Sequence, residues 1–144
     1  MVDVSAYILL IPATYLNPEN HYCVMKVLIF VYNAESGFYS SIKNHVHRVM
    51  SPSTYKCKLY KLTYGTMFTR RVWKNFLHNL SYHKVFFHSS EFKKAHPEYA
   101  YLELPSILVK DGDKISVLIT AQEINNTDNL DDLIGLLGKK LSGL

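Results

Sequence analysis

The chain has 144 residues, of which 48% are hydrophobic and 19% are charged, and its formal net charge is +4. This length suits one domain with a sizeable core, and this composition excludes a chain that is disordered throughout. The two cysteines, Cys23 and Cys57, lie far apart in the sequence. Their number excludes a disulfide framework and a zinc quartet and indicates a reducing, cytoplasmic environment.

Residues 1–24 differ from the rest of the chain. They contain an apolar run at residues 6–11, but no Lys or Arg precedes this run and Pro12 ends it. A secretory signal and a membrane span both fit this pattern badly. Because Met25 lies just before the first strand, we interpret residues 1–24 as an N-terminal extension upstream of the true start. Residues 25–144 then form the domain.

The first strand and the turn after it organise the chain that follows. Residues 27–31 are five consecutive aliphatic or aromatic residues, a pattern typical of a strand buried on both faces of a sheet. Asn33, Ser36 and Gly37 predict a turn, and the apolar spacing over residues 38–50 predicts an amphipathic helix. A helix that begins at the carboxyl end of a central strand is where α/β proteins usually bind ligands.

The later elements are predicted from apolar periodicity and from turn or capping residues. Residues 55–64 predict either a short helix or an irregular loop. The remaining elements are a helix from the N-cap Thr69 to Leu80 with an apolar face that includes Val72 and Trp73, a strand at 84–88, a helix at 91–95, strands at 106–109 and 115–120 joined by the turn 111–113, and a helix from the cap Asp128 to Gly138.

This order, β-α-α-β-α-β-β-α, predicts the architecture. Strands joined by helical crossovers lie parallel, and strands joined by a tight turn are antiparallel. We therefore predict an α/β domain with one mixed four-stranded sheet and helices on both faces.

The outline resembles the three-layer thioredoxin-like fold, and its length and strand order are closest to the glutaredoxin type. The resemblance depends on Leu104-Pro105, because this proline opens the third strand immediately before a hairpin and a last helix. It implies that the peptide bond before Pro105 is cis and that Pro105 faces the position of the redox cysteines across the site.

The turn after the first strand is similar to the signature of the DCC family of thiol-disulfide oxidoreductases, a thioredoxin-like group. Residues 32–39 are YNAESGFY, and the family has cysteines where this chain has Ser36 and Tyr39. Dithiol chemistry is therefore not available at this turn. Residues 51–65 also resemble a segment of small bacterial proteins that has a second cysteine three positions after the first. Here Cys57 is present, and Tyr60 takes the second position.

Cys57 has two interpretations. As a reactive monothiol it would form a mixed disulfide, with the neighbouring lysines lowering its pKa and favouring the thiolate. As a structural residue it would be a small buried hydrophobe beside Leu59 and Leu62, which is how free cysteines most often occur.

Charge is distributed unevenly along the chain. Residues 36–90 contain no Asp or Glu but nine of the 16 basic residues. This segment would steer an anionic partner, and its interleaved aromatic residues would allow residues 43–84 to stack on the bases of single-stranded nucleic acid. The alternative is a solvated basic face with the aromatic side chains in the core. The candidate basic patch comprises Lys56, Lys58, Lys61, Arg70 and Arg71.

The sequence contains no metal-ligand spacing and no P-loop, so we predict no metal and no cofactor. The main hypothesis is a non-enzymatic protein that binds a small thiol such as glutathione, an anion or a protein partner between Ser36, Cys57 and Pro105. One alternative is a monothiol thiol-disulfide oxidoreductase that uses Cys57, and another is a nucleic-acid-binding module. We expect no membrane partner. The candidate binding residues are Tyr32, Asn33, Ser36, Gly37, Tyr39, Tyr60 and Pro105.

Overall fold

The structure is a computed structural model, and it describes residues 26–34, 57–64 and 69–144. Within these ranges four strands form one mixed sheet in the order β2-β1-β3-β4. The strands are β1 (Val27–Tyr32), β2 (His83–His88), β3 (Ser106–Asp111) and β4 (Lys114–Ile119). The predicted α/β domain with a mixed four-stranded sheet is therefore confirmed.

β1 lies in the interior of the sheet because its side chains are apolar on both faces. It pairs in parallel with β2, where Tyr32 is opposite His88, and antiparallel with β3, where Val31 is opposite Ser106. Residues 28–31 are at most 3% exposed. The carboxyl ends of β1 and β2 therefore meet at the same end of the sheet.

Helices cover both faces of the sheet. The structure describes α1 (Lys58–Thr63), α2 (Arg71–Asn79), α3 (Ser89–Ala95), a 3-10 helix (Pro97–Tyr99), α4 (Ala121–Asn125) and α5 (Leu130–Ser142). One apolar cluster joins α1, α2, α4 and α5 to one face, with Leu59, Trp73 and Leu133 among its members. A second cluster joins α3 to the other face through Phe92. Among the described helices, none combines the length and the apolar composition that a membrane crossing requires.

β3 and β4 form the predicted hairpin. Asp111 pairs with Lys114, and Gly112 in the turn between them has a φ of +59°. Glycine suits this left-handed conformation because it has no Cβ. Ahead of β3, the peptide bond between Leu104 and Pro105 is cis, as the resemblance implies.

Two predicted helix caps are wrong by one residue. α2 is capped by Arg70 rather than Thr69, because Thr69 forms an isolated antiparallel bridge with Tyr64. α5 is capped by Asn129 rather than Asp128, because the Asn129 side-chain oxygen accepts a hydrogen bond of 3.0 Å from a backbone N–H of the first turn.

Two apolar positions also differ from the prediction. Val72 is 57% exposed, because the buried side of α2 begins one position later at Trp73, which is 1% exposed. α5 does not end at Gly138 but continues to Ser142, and Leu141 beyond the glycine still packs against the core.

Several predicted segments can be compared only in part. Of the two alternatives for residues 55–64, the helix is observed, since α1 spans Lys58–Thr63. α4 and the 3-10 helix are additional to the predicted elements. The predicted helix at residues 38–50 and the N-terminal extension lie outside the described residues.

Candidate functional site

A pocket of about 260 Å³ lies at the end of the sheet where the parallel strands β1 and β2 terminate. α1 and α2 form its other walls. Its lining includes Tyr32 from β1, Phe86 and His88 from β2, Tyr60 and Tyr64 from α1 and its C-cap, and Trp73 and Lys74 from α2. This is the end of an α/β sheet at which ligands usually bind.

Short-range backbone contacts bring α1 and α2 together around the pocket. Tyr64 and Thr69 form the antiparallel bridge, and the Arg70 backbone N–H donates to the Thr63 carbonyl oxygen at 2.8 Å. The Arg70 Nε also donates to the Tyr64 carbonyl oxygen at 3.4 Å. These contacts fix the end of α1 against the start of α2, so the side chains of both helices face one pocket.

Most of the described residues that line the pocket carry aromatic rings, and several of these rings pack against another ring. Tyr60 and Tyr64 are stacked, with ring centroids 4.6 Å apart and planes at 9°. Tyr64 also meets Tyr32 edge-on at 6.1 Å. Phe86 stacks on the buried Phe30 at 5.0 Å. Because each ring is packed against a neighbour, the wall is preorganised and loses little conformational freedom when a ligand binds.

Lys74 gives the pocket a positive charge. It is exposed, whereas the adjacent Trp73 is buried, so the ammonium group lies toward solvent and the indole lies deeper. Among the described residues that precede Glu91, none is acidic. A positive group at the opening of an apolar pocket attracts anions and repels cations.

Among the described residues that line the pocket, none is Asp or Glu. His88 Nδ1 lies 3.0 Å from the Glu91 carboxylate, which also accepts a hydrogen bond of 3.2 Å from the His88 backbone N–H. This pairing fixes the orientation of the His88 imidazole. It also keeps the Glu91 carboxylate bonded to His88, and Glu91 does not line the pocket. Burial raises the pKa of Tyr60, and the neighbouring Tyr64 raises it further. Tyr60 therefore stays protonated and does not repel an anion.

Cys57 is buried in the core, and its burial disfavours the thiolate. It is 0% exposed and precedes α1 in the same apolar cluster as Leu59 and Leu62. Burial raises its pKa, although the backbone N–H groups of Tyr60, Asn33 and Leu59 and the charge of Lys61 act in the opposite direction. Lys61 lowers this pKa, as the monothiol interpretation predicts, but desolvation of the thiolate outweighs the nearby positive charge, so the net shift of the pKa is upward.

The predicted binding residues separate into three groups. Tyr32 and Tyr60 line the pocket. Asn33, Cys57 and Pro105 are described but do not line it, although the register of β1 and β3 brings Pro105 beside the end of β1. The other predicted site residues, Ser36, Gly37, Tyr39 and Lys56, lie outside the described residues. The groove predicted between Ser36, Cys57 and Pro105 stays a prediction.

Four residues of the candidate basic patch lie within the described ranges, and their assembly into one patch stays a prediction. Lys61, Arg70 and Arg71 are exposed, and Lys58 is half-buried. Arg70 contacts the backbone of Tyr64, a residue of the pocket wall. The positive charge of Arg70 therefore adjoins the pocket wall.

Sequence reasoning did not select several residues of the pocket. The sequence pattern places Lys74 in the basic segment 43–84 but not in the candidate basic patch, and it places Phe86 only in a strand. A usable signal existed for His88, since Glu91 follows it at the spacing of a helix-capping pair. The pocket itself depends on how α1 approaches α2, which the sequence pattern does not specify.

No family model, no curated protein and no solved structure matches this chain.

Proposed function

We propose that this chain is a thioredoxin-like protein without a dithiol, and that it binds a small organic anion in the pocket between α1 and α2. The observation that carries the proposal is the composition of that pocket. Its wall is mainly aromatic, and Lys74 is the one permanently charged side chain among the described residues that line it. Small-molecule sites typically combine apolar walls with a few polar groups that orient the ligand.

The thioredoxin-like part of the proposal is supported by the sheet. β1 and β2 are parallel, β3 is antiparallel to β1, and β4 closes a hairpin with β3. This is the arrangement that the resemblance to the glutaredoxin type implies. The chain has Ser36 and Tyr39 at the two cysteine positions of the related signature, which favours binding over dithiol exchange.

The proposal is tested by titrating the protein with decahydro-2-naphthoate and with the corresponding neutral alcohol. The chain has one tryptophan, Trp73, and it lines the pocket. Its indole N–H therefore gives one signal in a ¹H–¹⁵N spectrum that reports occupancy of the pocket. We expect a saturable shift of this signal with the carboxylate and weaker binding of the alcohol.

A charge variant and a matched control complete the experiment. Lys74→Met should weaken carboxylate binding about fivefold, because an exposed ion pair contributes about 1 kcal/mol. Lys94→Met removes another exposed lysine, from α3 on the other face of the sheet, and should leave binding unchanged. No saturable shift in the wild type, or equal weakening in both variants, would overturn the proposal.

Glutathione is the probe that tests whether the natural ligand is a small thiol. It carries carboxylates as well as a thiol, so it would bind through Lys74 without reacting with Cys57. We expect glutathione to displace decahydro-2-naphthoate if the natural ligand is a thiol peptide. The monothiol alternative has no support in the described residues, since Cys57 is buried. A cytoplasmic location stays a prediction.

Single-stranded nucleic acid is the second candidate ligand. Arg70 and Lys74 favour it, because Arg70 contacts the backbone of Tyr64 and Lys74 lines the aromatic pocket. Lys61 and Arg71 are also exposed, and none of the described residues before Glu91 is acidic. Binding of an oligothymidylate should then weaken steeply as salt concentration rises. Salt-independent binding, or no binding at low salt, would exclude this candidate.

A further inference from the structure

Two of the rings that line the pocket are each stacked against a neighbouring ring. The Tyr60 ring is stacked against Tyr64, and the Phe86 ring is stacked against Phe30. Both Tyr60 and Phe86 line the pocket, so part of each side chain faces it. Phe86 is also 43% exposed, although it is a large apolar side chain. The pocket therefore offers fixed aromatic surface on two walls, one from α1 and one from β2.

The positions of the charge and of the deepest ring define a direction in the pocket. Lys74 is exposed and Trp73, its neighbour in α2, is 1% exposed. The indole itself is held edge-on against Phe30, with ring centroids 5.7 Å apart. A ligand that contacted both residues would place its apolar part toward Trp73 and its anionic group toward Lys74.

We propose that the ligand is a planar aromatic anion whose flat ring lies between Tyr60 and Phe86 and whose acidic group pairs with Lys74. This inference depends on the proposed function and narrows it to one chemical class. Aromatic rings gain from offset-stacked and edge-to-face contacts beyond the gain from burying apolar area. A saturated ring of the same carbon skeleton is thicker and has no π face, so it loses that part of the affinity. Free aromatic acids and nucleoside phosphates share the required chemistry.

The experiment compares two carboxylates with the same charge and the same carbon skeleton. 2-Naphthoate and decahydro-2-naphthoate are each titrated into the full chain while the Trp73 indole N–H signal is followed. We expect 2-naphthoate to bind about fivefold to tenfold more tightly, in line with measured aromatic pair energies. Equal affinities would overturn the aromatic assignment and leave the proposed function in place. Absence of binding by both compounds would overturn the proposed function itself.

Two pocket variants and one control test whether Tyr60 and Phe86 cause the preference for 2-naphthoate over decahydro-2-naphthoate. Phe86→Leu and Tyr60→Leu should each reduce the preference for 2-naphthoate and change the affinity for decahydro-2-naphthoate less. Tyr101→Leu is the control, because Tyr101 is an aromatic residue that is 76% exposed and does not line the pocket. An unchanged preference in both pocket variants would overturn the inference. Two variants from different elements keep the test decisive if one of them fails to fold.

A third probe distinguishes the two sources of the ligand. Adenosine 5′-monophosphate carries a planar base and an anionic phosphate, so it satisfies the same requirements. Tighter binding of this nucleotide than of 2-naphthoate would assign the pocket to nucleoside phosphates. Weaker binding would assign it to aromatic acids.

Discussion

The indole of Trp73 meets the ring of Phe30 edge-on, with ring centroids 5.7 Å apart and planes at 89°. Phe30 lies in the middle of β1 and is 0% exposed, and Trp73 lies at the start of α2 and is 1% exposed. This contact packs α2 against the sheet. Because Trp73 also lines the pocket, the same side chain supports the core and forms part of the candidate site.

Truncation of this contact should destabilise the protein strongly. We expect Trp73→Ala to lower the free energy of unfolding by about 3 to 5 kcal/mol, the usual cost of removing a large buried aromatic side chain. Val72→Ala is the matched control, because Val72 is the preceding residue of the same helix and is 57% exposed. It should change stability by no more than about 0.5 kcal/mol. Urea unfolding followed by circular dichroism measures both, and equal effects would contradict the burial assigned to α2.

Cys57 should be protected from alkylation in the folded protein. With Cys23 replaced by serine, Cys57 is the single thiol, and we expect iodoacetamide to react with it only through the small population of unfolded chains. Addition of urea should therefore accelerate the reaction. Rapid modification under native conditions, at a rate independent of stability, would contradict the burial of this thiol.

The same thiol should make stability fall at alkaline pH. Burial raises the pKa of Cys57 in the folded state above its ordinary value, so the unfolded chain loses this proton first as the pH rises. The contribution of Cys57 to the free energy of unfolding is therefore fully present below about pH 8.5 and declines above it. Cys57→Ala should show a smaller decline over that range. Denaturant unfolding at a series of pH values tests this, and parallel curves for the two proteins would refute it.

Gly112 and Gly135 should respond to alanine in opposite directions. Gly112→Ala should cost about 1 kcal/mol or more, because its φ of +59° disfavours any residue with a Cβ. Gly135 is exposed in the interior of α5, and a Cβ there would meet nothing within 4 Å. Gly135→Ala should therefore stabilise the helix by up to about 1 kcal/mol. Thermal unfolding of the two variants measures the signs, and the same sign for both would be inconsistent with the turn geometry.

The ion pair between α4 and α5 should contribute to stability in a pH-dependent way. Lys140 Nζ lies 2.7 Å from Glu123 Oε1. The hydrogen bond from Lys140 lowers the pKa of Glu123, and the Thr120 backbone N–H lowers it further. Because the folded-state pKa is depressed, this stability is present above the unfolded value of about 4.3 and is lost as the pH falls through the folded value.

Lys140→Met should therefore lower stability by about 0.5 kcal/mol at neutral pH and by less in acid. Lys139→Met removes the adjacent exposed lysine and serves as the control, which should be close to neutral. Unfolding curves at neutral and acidic pH separate the two variants. An effect of Lys140→Met that does not change with pH would exclude the ion pair as its cause.

The fold could be predicted further than the site, and particular residues explain why. The apolar run in β1 and the glycine turn at Gly112 are local signals, so the strands and the hairpin were predicted to within two residues. Thr69 was predicted as a helix cap because its chemistry suits a cap, but its bridge to Tyr64 keeps it outside the helix. The chemistry of Cys57 was decided by burial, a tertiary quantity, rather than by the lysines beside it in sequence. Lys74 became a candidate ligand contact only once α1 and β2 were placed around it.

The paired strands of the sheet differ greatly in the number of residues that separate them along the chain. β3 and β4 are separated by a two-residue turn, whereas β1 reaches its partner β2 only after residues 33–82. Closing a short hairpin takes microseconds and costs little entropy, but joining remote segments carries the full loop-closure penalty. We therefore expect the hairpin to form early and the pairing of β1 with β2 to form late in folding. The candidate pocket lies at the junction of β1 with β2, so it would be completed only after this long-range pairing has formed.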